Sequence, residues 1–424
     1  MMVYPNLRDK GYDWIWEDPE WTDFQFDRSA LDKIITAFDF NNQITLSNSI
    51  LFENSEDDEF VVEIQGLEAI KTSEIEGETY DLPEIIHSLR SGFNILANTE
   101  KENGNQSMEK RRQSVSAMMV DLYKNFRRPL TEKTMNHWNS LLTISETGDN
   151  RYVGRYRDYA EQMSVGNACP GSKPDFIAPP SSDVPRQMAN FIEWFNDTGK
   201  DGKNPLHPLI RSALAHLYFV TIHPYDDGNG RIARALSVKV ISEANKEPTL
   251  ISLSHAISDD KGEYYKALQQ AQRHGNVDAW LQYFCQTAVK AQEITKAKLY
   301  QTAVKRTVLQ KYEGRLNTEQ IAGLDAVITG KGVKQEGIIS VKEYVNRNIE
   351  SLRVRARQED KSFKEIAQED IQKLVRLGLL KKSKRNDCEK FVFKFPTIHG
   401  ITQVIPKKTE EKENMGLNCN PLTK

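Results

Sequence analysis

LHPLIRSALAHLYFVTI at residues 206–222 runs straight into HPYDDGNGRIAR at residues 223–234. The first run is apolar on every side and carries Pro208 near its first turn, where the missing N–H is not needed, so it reads as a helix. Pro224 stops that helix and fixes a turn, and a second helix is expected from about Asn229 to Asn245. The loop between them concentrates reactive side chains. His223 stands at the end of the first helix, and an imidazole there titrates near neutral pH, as a general base for a hydroxyl proton must. Gly228, Asn229 and Gly230 let backbone N–H groups converge at the next helix start, whose positive dipole end attracts anions. Asp227 sits just before this cradle, where a carboxylate beside phosphates holds Mg2+ with most of its waters. Arg231 and Arg234 lie three residues apart, so both guanidinium groups point along one helix face and can take phosphate oxygens. Base, metal ligand, anion nest and arginines together describe nucleotide chemistry.

Outward from this stretch the pattern stays helical. Leu31, Ile34, Ile35 and Phe38, then Phe60, Val61, Ile64, Leu67 and Ile70 recur at helical spacing and predict two helices between Ser29 and Gly77. Further helices are expected at about Pro83–Ala97, Arg111–Phe126, Thr131–Leu142, Pro185–Asn196, Tyr264–Arg273 and Val277–Gln310. Residues 148–180 collect Gly and Pro among alternating aromatic and polar residues, which reads as a β-hairpin and a loop. The aromatics of residues 1–28 (Tyr4, Tyr12, Trp14, Trp16, Trp21, Phe24 and Phe26) suit a short element packed onto a neighbouring core. Beyond Leu316, SVKEYVNRNIESL, EIAQEDIQKLVRLGLL, the basic turn KKSKR and EKFVFKF follow in the order of a winged helix-turn-helix.

The loop resembles the signature of Fic proteins, His-Pro-Phe-x-Asp/Glu-Gly-Asn-Gly-Arg-x-x-Arg; only Tyr225 departs, replacing Phe by another aromatic. The resemblance extends over about residues 60–290. It implies a Fic helical core with a β-hairpin flap, which together with the C-terminal winged helix-turn-helix read above makes a mainly α protein. It also implies a protein adenylyltransferase that uses ATP and Mg2+. His223 would deprotonate a target Ser, Thr or Tyr hydroxyl, Asp227 would hold the metal, and Gly228, Asn229, Gly230, Arg231 and Arg234 would bind the phosphates. The hairpin around Gly154-Arg155-Tyr156-Arg157 resembles the family's flap, which aligns a target by strand addition. Glu263-Tyr264-Tyr265-Lys266-Ala267-Leu268 resembles the segment that closes over adenine, with Tyr264 or Tyr265 against the base.

Thr72-Ser73-Glu74-Ile75-Glu76-Gly77 fits the family's inhibitory pattern, Ser/Thr-x-x-x-Glu-Gly/Asn, on a helix at about 57–77. By this resemblance Glu76 pairs with Arg234 and takes the place of the γ-phosphate. Removal of AMP, transfer of another phosphodonor's group, and a nucleotide-sensing DNA-binding regulator remain alternative readings. The expected organisation is an N-terminal module at 1–55, a catalytic core at 56–290, a linker helix at 291–315, a winged-helix-like domain at 316–400 and a disordered tail at 401–424. Residues 1–50 resemble a module that accompanies some Fic cores. Expected partners are a target protein bearing a hydroxyl side chain, with self-modification, a homodimer and DNA as open cases.

Composition narrows the class. The 424 residues carry 57 basic and 60 acidic side chains, a formal net charge of −3, which is the balance of neither a nucleic-acid coat nor a membrane-surface binder. No run of eighteen apolar residues and no leader-like N-terminus occurs, so no membrane partner and a cytoplasmic location are expected. Cys169, Cys285, Cys388 and Cys419 form no CxxC pair and are expected as reduced thiols. The remaining histidines lack metal-ligand spacing, and neither a GxxxxGK[ST] loop nor a GxSxG elbow is present.

Overall fold

The computed structural model describes residues 11–49, 56–93, 106–143, 151–166, 174–383 and 390–396, and these are mainly helical. The expected tail at 401–424, Tyr4, Cys169, Cys388, Cys419 and the end of the basic turn at 384–385 lie outside the described residues. The chain divides into two compact units, Met1–Thr295 and Lys296–Lys424.

In the first unit, α1 (Asp32–Ser49), α2 (Glu56–Ile75), α3 (Leu82–Gly92), α4 (Gln106–Asn125), α5 (Glu132–Leu142) and α6 (Val184–Asp197) precede the central pair, α7 (Pro208–Ile222) and α8 (Asn229–Asn245). Then come α9 (Leu253–Ser258), α10 (Lys261–His274) and the part of α11 (Val277–Lys311) up to Thr295, the rest of which belongs to the second unit. The sequence explains the layout. A helix without a polar face must be enclosed, and α7 is buried from Leu209 to Ile222. Its N-terminus is satisfied locally, with the Leu209 N–H donating to His207 Nδ1. The Thr131 hydroxyl caps α5 by accepting from Thr134 N–H at 3.1 Å, and Asp260 caps α10 from Glu263 N–H at 3.1 Å.

The N-terminal aromatics pack as the sequence implies. Trp21 and Phe24 meet Tyr218 of α7 at 4.8 and 5.7 Å between ring centres, and Phe24 meets Trp194 of α6 at 6.0 Å. Trp14 meets Phe176 edge-on at 5.3 Å.

The hairpin lies later in the chain than Gly154–Arg157. Its strands are β1 (Ser164–Val165) and β2 (Phe176–Ile177), paired antiparallel. Residues 151–157 form turns, with Gly154 at φ +68°, a conformation open to glycine without steric cost. The physical reason is that the Arg157 backbone N–H donates to Pro224 C=O at 3.0 Å and so is not available to a strand ladder.

The second unit contains α12 (Thr318–Thr329), β3 (Ile338–Ser340), α13 (Val341–Arg347), α14 (Ile349–Glu359), α15 (Phe363–Arg376), β4 (Leu380–Lys382) and β5 (Lys390–Phe393), with the three strands antiparallel in the order β3-β5-β4. Capping boxes start three of its helices: Asn317 with Gln320, Ser340 with Glu343, and Ser362 with Glu365. Its core joins Leu324, Val327, Ile339, Tyr344, Ile371, Leu374, Phe391 and Phe393. Helix α12 and strand β3 were not foreseen; the strand is only three residues long, whereas α12 carries Ile321, Leu324, Val327 and Ile328 at helical spacing.

Candidate active site

Helix α7 ends in a left-handed residue. His223 has φ +51° and ψ +57°, and its N–H still donates to Phe219 C=O at 3.1 Å. A non-glycine residue in this region is uncommon and persists only where surrounding contacts determine it. Those contacts come from Arg157, which is 1% exposed. Its Nε donates to His223 C=O at 2.8 Å, one terminal nitrogen donates to Pro179 C=O at 2.6 Å and Ile222 C=O at 3.4 Å, and its own N–H donates to Pro224 C=O at 3.0 Å. One guanidinium thus ties the base of the hairpin to the end of α7.

The His223 ring is aimed by its own helix. Val220 C=O lies 3.2 Å from Nδ1, and a carbonyl can only accept, so Nδ1 carries the proton and Nε2 holds the free lone pair. Burial pushes the imidazole down to about 4, against the Val220 hydrogen bond, while the positive charge of Arg157 lowers it further. At neutral pH the ring is therefore uncharged and able to accept a proton.

The loop after it is held from inside and outside. Asn229 Oδ1 accepts from Tyr225 N–H at 3.0 Å and its Nδ2 donates to Tyr225 C=O at 2.7 Å, closing the turn on itself. Tyr225 is fully buried and keeps a hydrogen bond that a Phe would lack, from its hydroxyl to Asn136 Oδ1 at 2.9 Å. Asn139 of α5, also fully buried, donates to Asp227 C=O at 2.9 Å and accepts from Gly154 N–H at 2.8 Å. Gly228, at φ +87°, forms the left-handed entry to α8, and no side chain caps it. The Asp227 side chain is 71% exposed.

The two arginines of α8 are buried and occupied. Arg234 Nε donates to Thr72 Oγ1 at 2.7 Å, and one of its terminal nitrogens reaches Thr72 C=O at 3.0 Å and Glu76 Oε1 at 2.6 Å. The Glu76 carboxylate also fills the space beside Gly230, where an added Cβ would stand 2.5 Å from Oε1. Burial alone would raise the Glu76 carboxyl, but Arg234 beside it, aided by Arg231, outweighs burial and holds it below the ordinary carboxylate range. Arg231 is shared between Asp227 Oδ2 at 2.9 Å and the Glu78 carboxylate at 3.2 Å, while its buried Nε has no hydrogen-bond partner.

The structure brings the expected residues from His223 to Arg234 and Glu76 together at the mouth of α8. Asn139 and Glu78 were not singled out by the sequence, and Thr72 and Arg157 were singled out only as parts of the inhibitory pattern and the flap. The pair Tyr264 and Tyr265 separates. Tyr264 is in the core, hydrogen-bonded through its hydroxyl to His216 Nε2 at 2.9 Å, so its ring faces no ligand space. Tyr265 is 48% exposed and its hydroxyl reaches Ile75 C=O, at the end of α2, at 3.5 Å.

Residues 129–241 match the sequence profile of the Fic/DOC family, and residues 14–95 match that of a domain of unknown function, DUF4172. The protein adenylyltransferase Fic of Nematostella vectensis is 34% identical over 131 residues, 31% of this chain and 26% of that protein. The protein adenylyltransferase fic-1 of Caenorhabditis elegans is 29% identical over 119 residues, 28% of this chain and 20% of that protein. The match therefore spans about a quarter or less of those relatives' length. A solved structure of Fic-1 (residues 134–508) from C. elegans superposes with a TM-score of 0.47 at 20% identity, covering 65% of this chain and 73% of that one. The segment that matches the Fic/DOC profile, residues 129–241, contains the whole loop from His223 to Arg234.

Proposed function

We propose that this chain transfers AMP from ATP to a hydroxyl side chain of a protein and is held in check by its own carboxylates. The observation that carries the reading is an uncharged His223, with a free Nε2, beside a helix mouth lined by two buried arginines. His223 Nε2 takes the proton of the acceptor hydroxyl as that oxygen forms its bond to the α-phosphorus. The bond from phosphorus to the bridging oxygen breaks, and pyrophosphate leaves with the electron pair. Backbone N–H groups of Gly228–Arg231 and the guanidinium groups of Arg231 and Arg234 stabilise the phosphate charge. The buried Arg231 Nε without a partner fits an anion that the resting site does not supply.

Asp227 suits a hard cation: it is a single exposed carboxylate next to a phosphate cradle, the donor set with which Mg2+ keeps its waters. When bound there, Mg2+ supplies positive charge to phosphate oxygens. Among the described residues no group of three His, Cys, Asp or Glu side chains is placed to hold a metal without a nucleotide.

Glu76 and Glu78 lie where phosphate charge must come to rest, each paired with one arginine of α8. A carboxylate there repels the productive nucleotide, so the resting chain is expected to be weakly active. The test weighs intact wild type, His223→Ala and Glu76→Gly after incubation with Mg2+ and ATP. Glu76→Gly should gain adenylyl groups well above wild type, and Glu76→Gly combined with His223→Ala should gain none. Unmodified Glu76→Gly that still binds Mg-ATP would remove the brake, and hydrolysis to AMP without protein modification would remove the transferase. The order of helices and strands in residues 318–393, with its three-stranded antiparallel sheet, supports a winged helix-turn-helix for the second unit.

A further inference from the structure

The near-neutral charge of the whole chain conceals a division. Residues 296–424 hold 27 Lys and Arg against 16 Asp and Glu, a net +11, whereas residues 1–295 hold 30 against 44, a net −14. A unit this cationic calls for a polyanionic partner, which the chain's overall −3 hides.

The helices of the second unit do not gather that charge into a patch. Asp360, Lys361 and Ser362 join α14 to α15, with Asp360 at φ +51°, which is the spacing of a helix-turn-helix whose second helix enters the major groove. Yet the exposed side chains in the first two turns of α15 are Lys364, Glu365 and Glu369, and Lys361 is already paired with Glu369 at 2.8 Å. On α14, Arg353 pairs with Glu350 at 3.0 Å and Arg355 with Asp370 of α15 at 2.8 Å. Two exposed carboxylates at the start of α15 repel phosphate.

The sheet differs. Along β5 and just past it, buried Phe391 and Phe393 alternate with exposed Lys390, half-buried Val392 and exposed Lys394. Lys381 of β4 lies opposite Val392, while Ile338 and Ser340 of β3 lie opposite Val392 and Lys390, so these side chains share the outer face. Among the described residues that face carries three lysines and no acid, and none of the three has an ion-pair partner. From Lys390 to Lys394 an extended chain rises about 14 Å, a length over which duplex DNA presents roughly eight phosphate charges.

We propose that the outer face of the β3-β5-β4 sheet binds the phosphate backbone of duplex DNA through Lys381, Lys390 and Lys394, and that α15 reads no bases. Three ammonium groups act as point charges and lack the planar fork with which arginine recognises guanine, so the contact is indifferent to base sequence. This binding does not depend on the transferase reading.

The test is fluorescence anisotropy of the full chain on two labelled duplexes of unrelated sequence, titrated with salt. Wild type should bind both within about threefold of each other. Lys381→Gln, Lys390→Gln and Lys394→Gln together should weaken binding to both by about tenfold or more, and should flatten the slope of log K against log salt by about 2.7, at roughly 0.9 per phosphate contact. Lys381→Arg, Lys390→Arg and Lys394→Arg together keep the charge and should bind within about threefold of wild type. Lys364→Gln with Gln372→Ala on α15 should change neither affinity by more than about twofold. A Gln triple that keeps the wild-type slope, or an Arg triple that loses binding as the Gln triple does, would overturn the sheet face. Loss on one sequence alone from the α15 pair would overturn the silent helix. A wild type that ignores both duplexes at low salt, or that joins a second copy of itself in light scattering instead, would overturn the partner.

Discussion

His223 carries two unusual properties that depend on each other. Its left-handed backbone lets Val220 C=O accept a hydrogen bond from Nδ1, and its burial keeps the ring neutral. For the folded chain the imidazole titrates near 4, below its ordinary value of 6.5, so the unfolded state binds the extra proton first as pH falls. The His223 contribution to stability is thus present above about 6.5 and is lost as pH falls toward about 4. Its competence as a base follows the same limb. The kcat/KM of Glu76→Gly should hold level through pH 6 and decline only on approach to about 4; a decline centred on 6.5 would mean a solvated ring. His223→Ala should lower transfer by about 10²- to 10⁴-fold in a single-turnover assay with unchanged nucleotide affinity. Glu78→Gln leaves Arg231 without its charged partner on α2's trailing segment, so added to Glu76→Gly it should lower the KM for ATP further, measured under initial-rate conditions.

At the scale of elements, the loop 223–228 keeps its shape because neighbours hold its backbone carbonyls. Asn139 of α5 bridges Asp227 C=O and Gly154 N–H with no exposed surface. Asn139→Ala removes hydrogen bonds to two part-buried backbone groups and should cost roughly 1–3 kcal/mol in denaturant unfolding. Nucleotide affinity should weaken with it, while a purely local packing loss would leave affinity alone. The mouth of α8 was legible because all its parts are contiguous, and its helix is announced by glycines and an apolar run. The hairpin was legible as a kind of element but not in its position. Alternation marked 148–180 as a whole, and within it only the anchoring of Arg157 tells a tie from a strand.

Across the first unit, one core unites α1 to α11 with the N-terminal aromatics, while the second unit has a core of its own. Trp21 and Phe24 lie on Tyr218 in the middle of α7, on the same helix that ends in His223. Trp21→Ala opens a gap against α7 and should lower the stability of the first unit by roughly 2–4 kcal/mol. Thermal unfolding followed by tryptophan emission would measure this, and a shift below a degree would mean that the N-terminal element is only laid on the surface. Among the described residues no helix is long and apolar enough to cross a membrane.

By itself the sequence determined most of the helices, the polar loop between α7 and α8 and the reactive residue types that loop carries, since periodicity, caps and contiguous reactive residues are local properties of a chain. Only the tertiary structure decided that Glu76 and Glu78 hold the two arginines of α8, that Arg157 fixes His223, and that Tyr264 is core while Tyr265 is exposed. These pairings join residues as much as 158 positions apart, and no local pattern encodes which distant carboxylate, carbonyl or ring a buried side chain will meet.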